Sequence, residues 1–221
     1  MAKTLQITLL ILFHYFKGFG QEIPSPKNFE IIDTISGDLD NDGVKELVVA
    51  YNTKKEDTSY ESIPRNLRIY KMQNQKWIIW KESQQALYGS RDGGMMGDSF
   101  GEIKIEKGVL QISQNGGSSW KWGHTDKYRY QNGEFYLIGY SSQYGKLCEY
   151  WMDVDFNLLT GKMIIKKEFE NCEANQEIYK RENETFYKKG LKVSLQNRSE
   201  NEIKIVTPKY RHEIYIAIKN E

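Results

Sequence analysis

Short segments rich in β-branched and aromatic residues follow one another along most of this chain, with Asn, Gly and Gln turns between them. No long stretch repeats apolar residues at the helical period, and only the polar segment 173–189 is a candidate helix. The pattern predicts an all-β protein of antiparallel hairpins and meanders, arranged as blade-like, propeller-related sheets or as a sandwich. The predicted strands are 29–36, 46–52, 67–72, 77–81, 102–105, 109–113, 120–130, 134–140, 150–156 and 163–169, with weaker ones at 192–195, 203–206 and 213–218.

Two stretches of the chain resemble each other, because IYKMQNQKWIIW at 69–80 aligns without gaps with KYRYQNGEFYLI at 127–138. Each stretch predicts a strand, a turn at Gln-Asn and a second strand. A repeated blade-like hairpin unit is one interpretation, and convergence on one turn type is the other. We predict a single all-β domain over 21–221, with sub-units at 28–85 and 98–172, and not a complete propeller.

The first twenty residues have the layout of a cleavable secretory signal. Lys3 precedes an apolar run at 5–16, and small residues follow at Gly18 and Gly20. The run is short for a membrane span, which needs about 20 apolar residues. We therefore predict cleavage before Gln21 and a secreted or periplasmic protein without a membrane span after cleavage. An uncleaved anchor is the alternative.

The charge balance argues against nucleic acid or an anionic membrane as a partner. The formal net charge of the whole chain is +1, and loss of Lys3 and Lys17 with the signal changes it to −1. Such a chain has no overall positive field. The 221 residues are 39% hydrophobic and 13% aromatic, which is enough to bury a substantial core. The partners that we expect are a protein or a carbohydrate ligand.

Cys148 and Cys172 are the only cysteines of the chain. In an exported protein an isolated pair most simply forms one disulfide, and two unpaired buried thiols are the alternative. The segment between them reads as a hairpin, and folding it about Thr160 brings the two cysteines opposite each other. This register places Val154 opposite Lys166, so we expect a bulge or a one-residue offset.

The stretch GDLDNDGVKEL at 37–47 concentrates carboxylates at alternate positions of a short loop. Counted from Asp38, they occupy positions 1, 3, 5 and 9, and Gly43 at position 6 permits a sharp turn. A main-chain carbonyl at position 7 adds another oxygen, and this many hard oxygen ligands suit calcium better than magnesium. An EF-hand is excluded because position 12 is Val49. The predicted calcium ligands are Asp38, Asp40, Asp42, the main chain of Val44, and Glu46.

The loop resembles the calcium loop of FG-GAP and VCBS-type repeats, in which the signature G-D-x-[DN]-x-D-G-x-x-[DE]-L links adjacent strands of a propeller blade. The matching residues are Gly37, Asp38, Asp40, Asp42, Gly43, Glu46 and Leu47. The resemblance implies a metal-binding role for the five predicted ligands. A solvated acidic turn without an ion is the alternative, although carboxylates at this density repel one another.

Aromatic residues alternate along a predicted strand in the glycine-rich segment 90–130. The residues that alternation places on one face are Trp120, Trp122, His124, Asp126, Tyr128 and Tyr130. If exposed, this face could contact sugar rings or peptide side chains, with Arg91, Asp92 and Asp98 on nearby loops. A core face is the other interpretation. The predicted ligand contacts are Trp120, Trp122, His124, Tyr128 and Arg91.

Sequence motifs for catalysis are few. The chain has neither a phosphate loop nor a G-x-S-x-G elbow, and after the signal its histidines are His124 and His212. The weak catalytic candidates are His124, near serines and Asp126, and the carboxylates of Asp153 and Asp155. We therefore expect an exported, calcium-stabilised binding or structural module. The alternative is a secreted hydrolase that acts on polysaccharide or an envelope polymer.

Overall fold

Antiparallel strands make up most of the described part of the chain. A computed structural model describes residues 22–55, 60–174 and 177–217, which form thirteen strands in three sheets and two short 3-10 turns. The prediction of an all-β antiparallel fold is confirmed. The predicted signal at 1–20 lies outside the described residues. Within them, no helix has the length and hydropathy that a membrane span requires.

The first sheet is a four-stranded meander in which neighbours in sequence are neighbours in space. Its strands are β1 (Glu30–Gly37), β2 (Glu46–Asn52), β3 (Arg65–Gln73) and β4 (Lys76–Ser83). Every residue of β2 is buried, as expected for the apolar run ELVVAY in a strand that is covered on both faces.

The second sheet is a seven-stranded meander, and the third is a single hairpin. The strands of the second sheet are β5 (Phe100–Glu106), β6 (Val109–Gly117), β7 (Lys121–Gln131), β8 (Glu134–Lys146), β9 (Tyr150–Asn157), β10 (Lys162–Asn171) and β11 (Glu177–Tyr187). The hairpin consists of β12 (Ile203–Val206) and β13 (Glu213–Ala217). The predicted strand at 192–195 is reduced to one bridge, between Ser194 and Tyr136 of β8.

The two similar stretches form hairpins with the same turn chemistry in different sheets. Asn74 and Gln75 join β3 to β4, and Asn132 and Gly133 join β7 to β8. All four residues have positive φ, which is the backbone of a two-residue type I′ turn. Because the first hairpin ends the four-stranded sheet and the second lies inside the seven-stranded sheet, the two are not equivalent parts of repeated blades.

The candidate helix at 173–189 is wrong, since most of it forms β11. This edge strand pairs with β10 from Lys162↔Tyr187 to Asn171↔Glu177 and so satisfies the backbone groups of β10. Polar side chains suit an edge strand that faces solvent. Glu184 is buried instead, where its carboxylate accepts the backbone N–H groups of Lys209 and Tyr210 at 2.7 and 3.3 Å.

The predicted disulfide between Cys148 and Cys172 is present at the end of the β9–β10 hairpin. The two Cα atoms are 5.0 Å apart, within the usual range for a disulfide. Val154 pairs with Ile165, so the expected one-residue offset from a fold about Thr160 is also present. A disulfide is typical of proteins that work outside the reducing cytoplasm.

One continuous apolar core joins the three sheets. It includes Val48 and Leu67 from the first sheet, Leu110 from the second and Ile214 from the third, all buried. The opposite face of the first sheet carries a smaller cluster around Tyr51. The shared core fixes the third sheet against the second, and a cleft lies along this contact.

We expect the Cys148→Ser/Cys172→Ser variant to lose about 3 kcal/mol of the free energy of unfolding, because the disulfide restricts the unfolded chain over a separation of 24 residues. Urea denaturation of the variant and the wild type measures this loss. Adding a reductant should lower the stability of the wild type to that of the variant and leave the variant unchanged. Equal stability of the two proteins under oxidising conditions would contradict the prediction.

Candidate functional site

The acidic loop between β1 and β2 gathers three aspartates. One carboxylate oxygen from each of Asp38, Asp40 and Asp42 lies within 4.8 Å of the other two. Asp38 accepts the backbone N–H groups of Asp42 and Gly43 at 3.2 and 3.0 Å, and Asp42 accepts that of Val44 at 2.8 Å. Gly43 has a φ of +84°, which suits glycine at the sharp turn. These turns fold the loop so that its carboxylates converge.

Lys71 on β3 supplies a positive charge to this loop, and sequence reasoning missed it. Its ammonium group contacts Asp40, lies 3.3 Å from Asp42 Oδ2, and lies 3.5 Å from Glu46 Oε1. Burial opposes the charged form, but the hydrogen bonds to Asp40 and Asp42 raise the pKa of Lys71. The lysine thus partly neutralises the cluster without an ion.

Glu46 lies beside the three aspartates rather than among them. It is almost completely buried, and its Oε2 accepts the backbone N–H of Leu39 at 2.7 Å. Burial raises the pKa of Glu46 above its usual value. Its contact with the loop backbone holds the base of the turn in place.

The donor set of the loop fits a cation. Every side-chain group that the three aspartates offer is a carboxylate oxygen, which hard divalent ions prefer. Asp40 Oδ1 is buried and has no hydrogen-bond partner among the described residues. A buried carboxylate oxygen without a partner is costly, and a metal ion is one way to satisfy it. Asp38, Asp40 and Asp42 could therefore hold a metal ion.

A cleft of about 530 Å³ opens between the seven-stranded sheet and the β12–β13 hairpin. Its floor is apolar because alternate residues of β9 and of β13 contribute to it. The buried floor residues are Met152, Val154, Ile214 and Ile216. The two sheets therefore border a space of the size that small ligands occupy in proteins.

Aromatic side chains form the walls and the rim of the cleft. The wall residues are Tyr88, Trp122, His124 and Tyr140, and the rim residues are Tyr144, Tyr150 and Tyr215. The Tyr88 ring meets the Trp122 ring at 89° with centroids 5.7 Å apart. The His124 ring is nearly parallel to that of Tyr140, at 24° and 5.9 Å. The side chains of Tyr144 and Tyr215 remain exposed at the mouth.

Glycines place the 89–97 loop, which follows Tyr88, close to β6 and β7. A Cβ atom at Gly116 would lie 2.6 Å from the Trp122 ring and 2.7 Å from Gly93 Cα. The backbone N–H of Gly117 donates to the Gly93 carbonyl at 2.8 Å. A side chain at Gly116 would push this loop away from the sheet, so part of the glycine-rich segment serves the close packing beside the cleft.

A buried ion pair lies behind the cleft. Arg198 Nε and Nη2 donate to Asp126 Oδ2 and Oδ1 at 2.5 and 3.0 Å, and both side chains are at least 96% buried. The Tyr128 hydroxyl donates to the same carboxylate at 3.1 Å. The interaction joins β7 to the segment that precedes the β12–β13 hairpin, and β13 of this hairpin lines one side of the cleft.

His124 is a neutral wall residue at pH 7. Burial lowers the pKa of its imidazole to about 4. Its Nε2 lies 3.4 Å from the Gln114 side-chain nitrogen, and Gln114 Oε1 in turn accepts the backbone N–H of Tyr88 at 2.7 Å. This chain of contacts connects two walls of the cleft through one buried amide.

The five residues predicted to contact a ligand do not all lie in one site. Trp122 and His124 line the cleft. Trp120 lies next to the mouth, where it stacks on the rim residue Tyr144 with centroids 5.3 Å apart. Tyr128 is completely buried, so its ring belongs to the core. Arg91 lies outside the cleft lining, with its guanidinium 5.3 Å from the ring centroid of Tyr60.

Of the two aspartates predicted as polar contacts near the aromatic strand, one lines the cleft and the other does not. Asp92 lines the cleft, and its carboxylate accepts the Ser62 hydroxyl and the Gly89 N–H, each at 2.6 Å. Asp98 instead receives both terminal nitrogens of Arg65 at 2.7 and 2.6 Å. Asp98 therefore holds a buried arginine and does not face the cleft.

The three catalytic candidates lie on different faces of the seven-stranded sheet. Asp153 and Asp155 are exposed on the outer face of β9, where Asp153 accepts the Gln143 side-chain amide at 2.9 Å. His124 lies on the opposite, cleft-facing side with Val154. The geometry therefore does not combine these carboxylates with the histidine in one site.

Sequence reasoning missed most of the cleft, including Tyr88 and the two β13 residues Ile214 and Ile216. Tyr88 precedes a glycine-rich loop, and β13 lies about ninety residues after β7 in the chain. The alternation of Trp122 and His124 was the only local signal for this site. Partners that come from distant segments leave no such pattern.

We expect the Arg198→Met variant to lose about 3–5 kcal/mol of stability, because it leaves the Asp126 carboxylate buried without its charged partner. Chemical denaturation measures the loss, and the Asp126→Leu/Arg198→Met double variant should regain much of it. Arg181→Met is the matched control, since Arg181 and Glu168 form an exposed pair at 2.8 Å. Its effect should stay below about 1 kcal/mol. Equal effects of Arg198→Met and Arg181→Met would refute the assigned role.

Comparisons of the chain with protein-family models, curated proteins and solved structures gave no match. The resemblance to FG-GAP and VCBS-type repeats therefore stays local to the loop at 37–47. Because a fold alone does not specify an activity, function has to be argued from the two sites themselves.

Proposed function

We propose that the chain is an exported binding module that holds a ligand in its aromatic cleft and a structural calcium ion in its acidic loop. The observation that carries the proposal is the cleft of about 530 Å³, with a buried apolar floor and aromatic walls. Binding sites for small ligands have this size and this composition, with a few polar groups that fix orientation.

Rigid support of the walls favours a binding role for the cleft. Trp122 and His124 belong to a central strand of the seven-stranded sheet, and Tyr88 is held through Gln114. A site built on strands keeps its shape in the absence of ligand and loses little entropy on binding. The exposed rim residues Tyr144 and Tyr215 leave the cleft open to solvent.

The polar groups near the cleft also favour binding over turnover. His124 is neutral beside Gln114, and Asp126 is occupied by Arg198 and Tyr128. A hydrolytic histidine needs a positioned nucleophile and a free orienting carboxylate. Because Asp126 already neutralises a buried arginine, it is a structural group in this arrangement.

Calcium is the ion that we propose for Asp38, Asp40 and Asp42. The all-oxygen donor set and the unpartnered Asp40 Oδ1 support a hard divalent cation. The resemblance to the calcium loops of FG-GAP and VCBS-type repeats selects calcium among such ions. The main-chain carbonyl of Val44 and the carboxylate of Glu46, which lies beside the three aspartates, complete the proposed ligand set. When bound, the ion supplies positive charge that holds the loop folded.

An extracytoplasmic location, either secreted or periplasmic, fits both features of the proposal. The disulfide between Cys148 and Cys172 is stable in an oxidising compartment. Extracellular calcium modules bind with dissociation constants of about 0.1–1 mM, which suits the calcium concentration outside cells.

Calcium near 1 mM should stabilise the wild type by about 1.4 kcal/mol if the dissociation constant is about 0.1 mM. Thermal unfolding followed by circular dichroism measures the gain, and EDTA should reverse it. In Asp40→Asn the response to calcium should disappear, whereas the control Asp153→Asn, which alters an exposed aspartate outside the loop, should keep it.

Lys71→Gln extends the same experiment. Removal of the ammonium group leaves the three aspartates without their built-in cation, so calcium should bind this variant more tightly than the wild type. Isothermal titration calorimetry compares the two affinities. If neither calcium nor EDTA changes the melting temperature of the wild type, the proposed calcium site is wrong.

Binding in the cleft should depend on Trp122. We expect that a panel of soluble oligosaccharides, peptides and small organic ions contains a ligand whose affinity falls at least about tenfold in Trp122→Leu, because a wall of the cleft is lost. Tyr187→Ala is the control, since this exposed aromatic residue lies outside the lining. Fluorescence titration measures affinity. Ligands that bind the wild type and Trp122→Leu equally would place the binding site elsewhere.

A further inference from the structure

The walls of the cleft meet at a right angle. The Tyr88 ring is inclined at 89° to Trp122 and at 82° to His124, with 5.7 Å between centroids in both pairs. A sugar ring usually stacks flat on one exposed aromatic face. A corner of perpendicular rings instead surrounds a compact group on more than one side, as in the aromatic cages that bind methylated ammonium groups.

The charged side chains that line the cleft are acidic. They are Asp92 and Glu213, and the described lining contains no lysine or arginine. Among the described residues, Asp92 accepts hydrogen bonds from two neutral donors, the Ser62 hydroxyl and the Gly89 N–H. Glu213 forms a salt bridge with Lys204, in which Lys204 Nζ lies 2.7 Å from Glu213 Oε1. The negative charge of Asp92 therefore favours a positive ligand in this cleft.

Positive charge already lies against the outer rings of this region. Lys167 Nζ is 3.7 Å from the ring centroid of Tyr150, and Lys204 Nζ is 5.4 Å from that of Tyr215. Both lysines lie outside the cleft lining. The rim residues Tyr150 and Tyr215 thus form cation–π contacts with lysines of the chain. The aromatic rings of the inner corner could form the same kind of contact with the ammonium group of a ligand.

We infer that the cleft binds a small soluble molecule with a quaternary or fully methylated ammonium group, which the corner of Tyr88 and Trp122 encloses near Asp92. The inference rests on the proposed function and names its ligand class. The methyl groups contact the apolar floor formed by Met152 and Val154. His124 does not oppose the cation, because burial lowers its pKa to about 4 and keeps it neutral at pH 7.

Titration of the purified chain with choline tests the inference, and 3,3-dimethylbutan-1-ol is the matched probe because it has the same shape without the charge. We expect choline to bind about tenfold more tightly than the neutral alcohol. The preference should be lost in Trp122→Leu and kept in Trp122→Phe and Tyr187→Ala. Glu213→Gln provides a second charge test that leaves the Asp92 loop intact, and it should weaken choline without affecting the alcohol.

The outcomes separate the inference from the proposed function. Equal binding of choline and the alcohol would overturn the inference, because the cleft would recognise shape alone. A neutral oligosaccharide that binds through Trp122 while choline does not would overturn it and leave the binding module standing. Binding to phosphatidylcholine vesicles without binding to choline would overturn the choice of a free ligand. If no probe binds and no affinity responds to Trp122→Leu, both proposals fail.

Discussion

The Asp126–Arg198 ion pair is the interaction on which the arrangement of this protein depends most. A buried charge pair adds little net stability compared with an apolar pair, but each charge is costly once its partner is missing. The chain must therefore bring β7 and the segment before β12 together in one geometry. The same segment is fixed to the first sheet, where Ser83 Oγ donates to the Leu195 carbonyl at 2.6 Å and Ser199 Oγ donates to the Gln85 carbonyl at 3.1 Å. One short segment thus connects all three sheets.

The cleft follows from that connection. The floor requires β13 to lie over β9, and the walls require Tyr88 to stay near His124. Arg198 anchors the approach to the β12–β13 hairpin, and Gln114 links Tyr88 and His124. The polar side chains of Asp126, Arg198 and Gln114 form hydrogen bonds behind the cleft and hold its walls in place. This use of polar residues is why the cleft itself is mostly aromatic and apolar.

Sequence reasoning succeeded where a feature is local. The apolar run at 46–52 and the alternating run at 203–206 correspond to β2 and β12 without any shift of their ends. The acidic spacing that converges Asp38, Asp40 and Asp42 is equally local. The sequence-based prediction failed at β11. The polar composition of this strand shows no strand pattern, and pairing with the edge of β10 sets its conformation. Lys71 was missed for the same reason, since strand pairing and not chain proximity brings it to the loop.

The acidic loop lies where the first sheet meets the second, and the cleft lies where the second sheet meets the third. The proposed stabilising site and the proposed binding site are therefore in different parts of the fold. The loop touches the turn between β5 and β6, because a side chain at Gly108 would lie 3.2 Å from Asn41 Oδ1. Nearby, the Ile103 N–H donates to Asp33 of β1 at 3.3 Å, so this junction joins the edge strands of the first two sheets. The cleft lies between the second and third sheets. A charge bound at the loop therefore acts on the packing of β1 against β5, and within the second sheet β6 separates this junction from the cleft residues of β7. Since packed sheets transmit small displacements poorly unless they have two alternative arrangements, the loop is better suited to holding the fold than to controlling the ligand.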